Sequence, residues 1–445
     1  MISEVPLKNL LIETKDGEWG KGESVSNHKK MLVIRGTDFS NVRFGSLKGV
    51  PTRFIPEHIG ERKKLHAADI LIETAGGTKD QPTGRTVFLK ERIFKTSPFP
   101  LTCSSFTRFL RINSGLADPE YVFWYLQFLY ETGKMEQHQV QHTGVARFQY
   151  TNFSEKILIP LPSLPEQRTI AHILGTLDDK IELNCRMNET LEAMAQAFFK
   201  SWFVDFDPVR AKAEGRPTGL PKEIEDLFPE GFEESELGEI PRGWKIVDFS
   251  DVANHKRQNV RPDQINSKTP YIGLEHMPRK SIALSDWSFS DEIESNKSEF
   301  TKGDILFGKL RSYFHKVGVA PVNGICSTDI LVLTPIRPEW FGFVLGHSSS
   351  DSFVAYTDRG SSGTRMPRTS WEIMKRYKVV LPPVVAAECF TLQIKLFVKI
   401  ILNNIHESKT LGYLRDSLLP KLLSGEIKVL DIPLLQGSTG ELEAK

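Results

Sequence analysis

The chain has 445 residues, 40% of them hydrophobic and 25% charged, with a formal net charge of +1. At ~150 residues per domain that corresponds to about three units, each able to bury a core, and it argues against wholesale disorder. No apolar run reaches the ~18 residues of a membrane span, the N-terminus lacks the pattern of a signal peptide, and the four cysteines (Cys103, Cys185, Cys326, Cys389) form no Cys-x-x-Cys pair. A cytoplasmic protein with neither a disulfide scaffold nor a zinc ribbon is expected.

The near-neutral total hides an uneven distribution. Residues 1–160 carry 22 basic and 17 acidic side chains (net +5), and 161–240 carry 8 and 17 (net −9). Residues 241–380 carry 20 and 15 (net +5), and 381–445 carry seven of each. Two basic blocks flanking an acidic one point to a polyanionic partner contacted twice.

In chain order, Met31-Leu-Val-Ile, Asp69-Ile-Leu-Ile and Thr86-Val-Phe-Leu are short apolar strands, and Ala75-Gly-Gly-Thr-Lys is a turn. A helix is predicted over 119–131. Next comes a seam in which Ile170, Leu174, Leu177, Ile181, Asn184, Asn188, Leu191, Ala195, Phe198 and Trp202 alternate spacings of four and three. That is the a/d pattern of a coiled coil, on a helix of ~40 residues. The second half repeats the order: strands at Asp304-Ile-Leu-Phe and Ile330-Leu-Val-Leu, a turn at Gly360-Ser-Ser-Gly-Thr-Arg, a helix over 338–347 and a second long helix.

The repetition is explicit in the residues. Ala68-Asp-Ile-Leu-Ile matches Gly303-Asp-Ile-Leu-Phe, Cys103-Ser-Ser matches Cys326-Ser-Thr, and Pro119-Glu-Tyr matches Pro338-Glu-Trp. Leu161-Pro162 and Thr190-Leu191 recur 220 residues later, and so does the seam, with one charged lapse at Arg415. Asn184 and Asn404 occupy the same seam position near the two helix midpoints. A buried Asn there fixes register at a cost in stability, so antiparallel pairing about the midpoints would set these two face to face.

Catalytic motifs fail on inspection. Gly303-Asp-Ile-Leu-Phe-Gly-Lys309 imitates a phosphate-binding loop, but Leu310 stands where Ser or Thr is required and Ile305-Leu-Phe is a strand. His138 and His142 lack a third ligand and are expected at the surface. No hydrolase, zinc-protease, dinucleotide or adenine-methyltransferase signature occurs, so no catalytic residue and no metal site is assigned. Recognition remains. The DNA-contact candidates are Arg35, Thr78, Lys79, Arg85 and Arg147 in the first half, and Arg257, Lys309, Arg311, Tyr313, Arg365 and Arg368 in the second. Taken one at a time, each is also what a solvated surface supplies. Two rivals stand beside this reading: an autonomous nuclease, and a purely structural coiled-coil adaptor.

The stretch from Leu161-Pro-Ser-Leu-Pro-Glu-Gln-Arg to Asp178-Asp-Lys-Ile-Glu-Leu-Asn closely resembles the central conserved region of type I restriction-modification specificity subunits. Trp202-Phe-Val-Asp-Phe-Asp-Pro, Glu236-Leu-Gly-Glu-Ile-Pro-Arg-Gly-Trp244 and Ser417-Leu-Leu-Pro-Lys-Leu-Leu-Ser-Gly-Glu426 extend the likeness. It implies an α+β fold with a pseudo-twofold internal repeat, in which two long conserved helices form an antiparallel coiled coil. The implied order is a first mixed α/β target-recognition domain (1–160), a central conserved region (161–240), a second target-recognition domain (241–380), a distal conserved helix (381–430) and a tail (431–445). It further implies double-stranded DNA as ligand, read as a bipartite site. Two methyltransferase subunits would use S-adenosylmethionine to modify adenine, and motor-endonuclease subunits would use ATP and Mg, with no cofactor on this chain. Glu166-Gln167-Arg168, common where the family's helices begin, is replaced by Ala386-Ala387-Glu388 in the second copy. The acidic segment is expected to face the methyltransferases.

Overall fold

The computed structural model describes residues 3–77, 81–142, 145–289, 295–363 and 365–428. Thr78, Lys79 and the 431–445 tail therefore lie outside the described residues. The chain divides into two compact units: Met1–Leu183 with Lys409–Lys445, and Asn184–Ser408.

In the N-terminal unit an antiparallel sheet orders Leu11–Asp16, Thr107–Ile112, Ile70–Glu73 and Thr86–Phe88. Ile70–Glu73 is buried along its whole length, which is why it reads as an unbroken apolar run. A second sheet orders Thr52–Pro56, His28–Ile34 and Leu101–Cys103, the last pairing in parallel with Ile34 opposite Cys103. The helix Pro119–Glu131 starts where predicted. Pro119 occupies its first turn, and the Asp118 carboxylate accepts from the Glu120 and Tyr121 amides at 3.0 Å each. This helix sets Tyr121, Trp124, Leu126 and Leu129 into the core beside Ile170 and Leu174.

In the C-terminal unit a four-stranded sheet orders Ala253–His255, Ile330–Pro335, Ile305–Gly308 and Val317–Val319. A five-stranded sheet contains Pro270–Ile272 pairing in parallel with Gly324–Cys326, and Ile272 lies opposite Cys326. The helix expected over 338–347 opens as a 3-10 turn, Pro338–Trp340, before Phe341–Ser348; Arg337 at its cap makes no capping hydrogen bond, its Nη2 reaching the Glu339 carboxylate at 3.5 Å instead. Ile305–Gly308 is a fully buried strand, as its apolar residues required.

Two 40-residue helices complete the chain, Leu164–Phe203 and Val384–Leu423. Within the N-terminal unit Ile170, Ala171 and Leu174 share a core with Leu419, Leu422 and Leu423. Within the C-terminal unit Phe199 and Trp202 share one with Phe390, Ile394 and Val398. The early part of each helix thus meets the late part of the other.

Gln167 and Ala387 show how one structural task is met twice. Gln167 is buried; its carbonyl accepts from the Asp118 amide (2.9 Å) and its amide donates to Pro162 O (2.9 Å), which ties the long helix to the cap of the 119–131 helix. In the second unit Ala387 is buried at the matching place, and Thr391 makes the connection. Its hydroxyl donates to Glu339 O (2.6 Å) and accepts from Gly342 N (2.9 Å).

One expectation is corrected here. Asn184 donates to Glu407 (2.8 Å) and Ser408 (3.3 Å), and Asn404 donates to Asn188 (2.9 Å), so the register lies one turn beyond the Asn184–Asn404 pairing. Three acids of the acidic segment pair with basic side chains of the same unit: Asp178 with Arg43, Asp179 with Lys90 and Arg92, and Glu182 with Arg92.

Candidate nucleic-acid interface

Each candidate surface forms where the chain leaves a central strand. In the N-terminal unit Ile70–Glu73 runs into Thr74-Ala75-Gly76, and Ala75 bridges to Arg147. The Thr74 amide donates to Phe106 O (2.8 Å), and the Phe148 amide donates to Thr74 O (2.9 Å). The C-terminal unit repeats this arrangement. Ile305–Gly308 runs into Lys309-Leu310-Arg311, and Leu310 bridges to Arg368. The Lys309 amide donates to Asp329 O (2.9 Å), and the Thr369 amide donates to Lys309 O (3.0 Å). Arg147 thus corresponds to Arg368, and Phe106 to Asp329.

The candidate side chains differ in their freedom. Arg35 is held by Asp38 through Nε (2.9 Å) and Nη2 (2.7 Å), and Nη2 also reaches Gly49 O at 3.0 Å. Arg85 is held as firmly by Glu73, at 2.9 and 2.7 Å. The carboxylate hydrogen bonds raise both guanidinium pKa values. Arg368 forks onto Asp329 at 2.9 and 3.3 Å. These three are committed to acids of their own unit. Arg257 is mostly exposed, with Glu372 at 3.7 Å and His255 Nδ1 at 3.3 Å. Arg147 and Arg365 are exposed, while Lys309 and Arg311 are half-buried.

Lys309, Arg311, Tyr313, Arg365 and Arg368 do come together. Arg311 donates to Arg365 O (3.3 Å) and to Pro367 O through its amide (2.8 Å). Arg311 and His315 both adopt left-handed backbone, at φ 51° and 52°, around the turn Ser312–Phe314. Each such residue costs about 1–2 kcal/mol, so the surroundings must hold the turn in place. His315 does so: it is buried, with Nε2 donating to Ser349 O (2.9 Å) and Nδ1 3.2 Å from Asp351. The turn leaves Tyr313 half exposed and stacks Arg279 over the Phe314 ring at 4.0 Å.

Arg279, Phe106 and the neutralising acids Glu73, Asp38 and Asp329 escaped the sequence reading. Only Asp38, three residues after Arg35, left a local trace; the others are joined through strand pairing between distant segments. His138 is a further correction. It is buried rather than at the surface, edge-on to Phe153 at 5.2 Å, and burial lowers its pKa. Among the described residues no group of three or more His, Cys, Asp or Glu could hold a metal ion. No described helix is long and apolar enough to cross a membrane. Burial pushes the Cys103 and Cys326 thiols up to about 12, far from a reactive thiolate.

The two units thus share one strand-exit framework and present different basic and aromatic groups on it. Residues 14–193 match the family model described as type I restriction modification DNA specificity domain. The chain is 25% identical over 94% of its length to the type I restriction enzyme MjaIX specificity subunit of Methanocaldococcus jannaschii, covering 88% of that protein. It is also 25% identical to the HindI specificity subunit of Haemophilus influenzae, over 72% of this chain and 80% of that one. The crystal structure of a type I system S subunit from M. genitalium superposes with a TM-score of 0.54 at 15% identity, covering 95% of this chain and 96% of that one. The chain is thus similar to type I restriction-modification specificity subunits over most of its length, and residues 14–193 match their DNA specificity domain.

Proposed function

We propose that this chain reads a bipartite, asymmetric double-stranded DNA site and directs adenine methylation and restriction by partner subunits. The observation that carries the reading is the matched pair of strand-exit frameworks, Thr74/Phe106/Phe148 and Lys309/Asp329/Thr369. They share backbone hydrogen bonds yet display different side chains. Two such surfaces at the two ends of an internal repeat suit two half-sites of unlike sequence.

In this reading residues 1–160 and 241–380 are the two target-recognition domains, related by a pseudo-twofold repeat. The helices in 161–240 and 381–430 form an antiparallel coiled coil that acts as a ruler across an unread spacer, with Asn184 against Glu407 and Ser408, and Asn404 against Asn188, setting its register. Two methyltransferase subunits dock on the helices and bring S-adenosylmethionine; motor-endonuclease subunits bring ATP and Mg. The chain itself holds no cofactor and works in the cytoplasm, on duplex DNA.

Adenine methylation mapped across the genome of cells expressing the chain with its neighbouring methyltransferase tests this. A new two-part motif that vanishes with the chain is expected, and exchanging residues 1–160 should change one part only. An active methyltransferase that acquires no motif would leave the structural adaptor.

A further inference from the structure

In the C-terminal unit Asp329 holds Arg368 in place, but the N-terminal unit has Phe106 where Asp329 stands. Arg147 consequently has no carboxylate partner among the described residues. Phe106 is 61% exposed at the tip of its turn, with its carbonyl accepting from Thr74 and, at 3.4 Å, from Ala75. Phe148 is buried, and the residues on either side of it, Arg147 at the end of the strand and Gln149 at the cap of the next helix, are exposed. The Gln149 backbone amide is fixed on His138 O at 2.8 Å, and its side-chain amide has no hydrogen-bond partner among the described residues. Beside it opens a polar groove of about 440 Å³, lined by Thr74, Arg108, Gln149 and Tyr150 among others. Arg108 lies over the Tyr150 ring at 4.6 Å.

These groups have the chemistry of base-edge readout. A free guanidinium pairs with guanine O6 and N7, a free carboxamide with adenine N6 and N7, and a phenyl ring packs on a thymine methyl. An arginine already forked onto a carboxylate offers none of this without first breaking the pair. We propose that Phe106, Arg147 and Gln149 form the base-reading corner for one half-site, and that the matching Arg368–Asp329 corner only braces its unit. In the C-terminal unit reading passes to the strained Arg311–His315 turn. The inference rests on the DNA-reading function proposed above and assigns it to particular side chains.

The test is the methylation motif specified by Phe106→Ala, Arg147→Ala and Gln149→Ala, each expressed with the neighbouring methyltransferase, with Arg368→Ala alongside. Each of the first three should relax base preference at a position in the same half of the motif, by roughly ten- to a hundredfold, and leave the other half intact. Arg368→Ala should leave every base preference unchanged. Wild-type stringency in all three corner variants would overturn the assignment while leaving the DNA-reading function standing. A wild-type chain that specifies no motif would overturn that function, and the corner with it. For a variant that abolishes methylation, purified complexes are titrated with duplexes carrying the wild-type motif and each single-base substitution. Lost discrimination at one base pair supports the corner; unchanged discrimination refutes it.

Discussion

Arg415, the one charged residue in the second helical seam, donates to Asp178 on the first helix, and Arg43 grips the same carboxylate at 2.8 Å. Asp178 is buried, and both guanidiniums are largely so. Residues 220 positions away repeat the seam without the charges: Val398 corresponds to Asp178 and Ala195 to Arg415, and these two pack in the core of the other unit. The lapse in the seam is thus a compensated charge cluster.

Removing the carboxylate strands two buried cations. Asp178→Asn should cost the N-terminal unit about 3 kcal/mol, read from urea unfolding. Burial works to raise the Asp178 pKa, yet Arg43 and Arg415 outweigh it and hold the group below its ordinary value. The ion pair therefore stabilises the fold above the unfolded carboxyl pKa of ~3.9, and the gain is lost as pH falls through the lower folded value. Wild type should lose this contribution only in strong acid, and Asp178→Asn should show no such loss. A variant as stable as wild type at neutral pH would mean that the cations rehydrate freely.

The Asn188–Asn404 hydrogen bond makes a prediction of the opposite kind. Asn404→Leu leaves the buried Asn188 side-chain carbonyl oxygen without its donor and should cost about 1–3 kcal/mol. Asn188→Leu with Asn404→Leu removes both polar groups and should recover that loss or exceed wild type, because apolar seam residues then meet. Thermal melting of both singles and the double completes the cycle. Additive losses would show that the pair does not act as a unit.

The sequence pattern located the regular elements because each rule it used is local. The four-three alternation from Ile170 to Trp202 marks the first 40-residue helix, and the Asp118-Pro119 start fixes the shorter one. Symmetry about the two asparagines places the register of the long helices one turn off because Asn188, Glu407 and Ser408 compete for the same hydrogen bonds. Site residues were the least legible. Whether an arginine is free depends on the acid opposite it, and Glu73 and Asp329 reach Arg85 and Arg368 across 12 and 39 residues.

His347 supplies a pH test that is independent of DNA. It sits edge-on to Phe343 at 4.4 Å and Phe199 at 4.9 Å, with Nε2 buried and unbonded. Burial drives its pKa down to about 3. Because the unfolded imidazole binds a proton near pH 6.5 and the folded one does not, stability is complete above that value and falls with acidification toward pH 3. The slope from this one residue is at most about 1.4 kcal/mol per pH unit. His347→Leu should flatten the C-terminal unit's unfolding profile between pH 6.5 and 4; an unchanged slope would show that His347 is hydrated.

Two helical glycines should respond to the same substitution with opposite signs. A Cβ on Gly346 would lie 2.1 Å from the Phe199 ring, which is itself wedged among Phe203, Phe343 and Phe390. That ring has no flexible end to swing aside, so Gly346→Ala should destabilise the C-terminal unit by about 1–3 kcal/mol despite alanine's better helix propensity. A Cβ on Gly412, within the second long helix, meets nothing within 4 Å. There propensity acts alone, and Gly412→Ala should stabilise by up to about 1 kcal/mol. Adding Phe199→Leu to Gly346→Ala should recover part of the first loss by giving the new methyl room. Thermal melts of the three variants decide the matter: if Gly346→Ala gains stability as Gly412→Ala does, the helix Phe341–Ser348 is free to slide off the aromatic cluster and the close packing at Phe199 imposes no constraint.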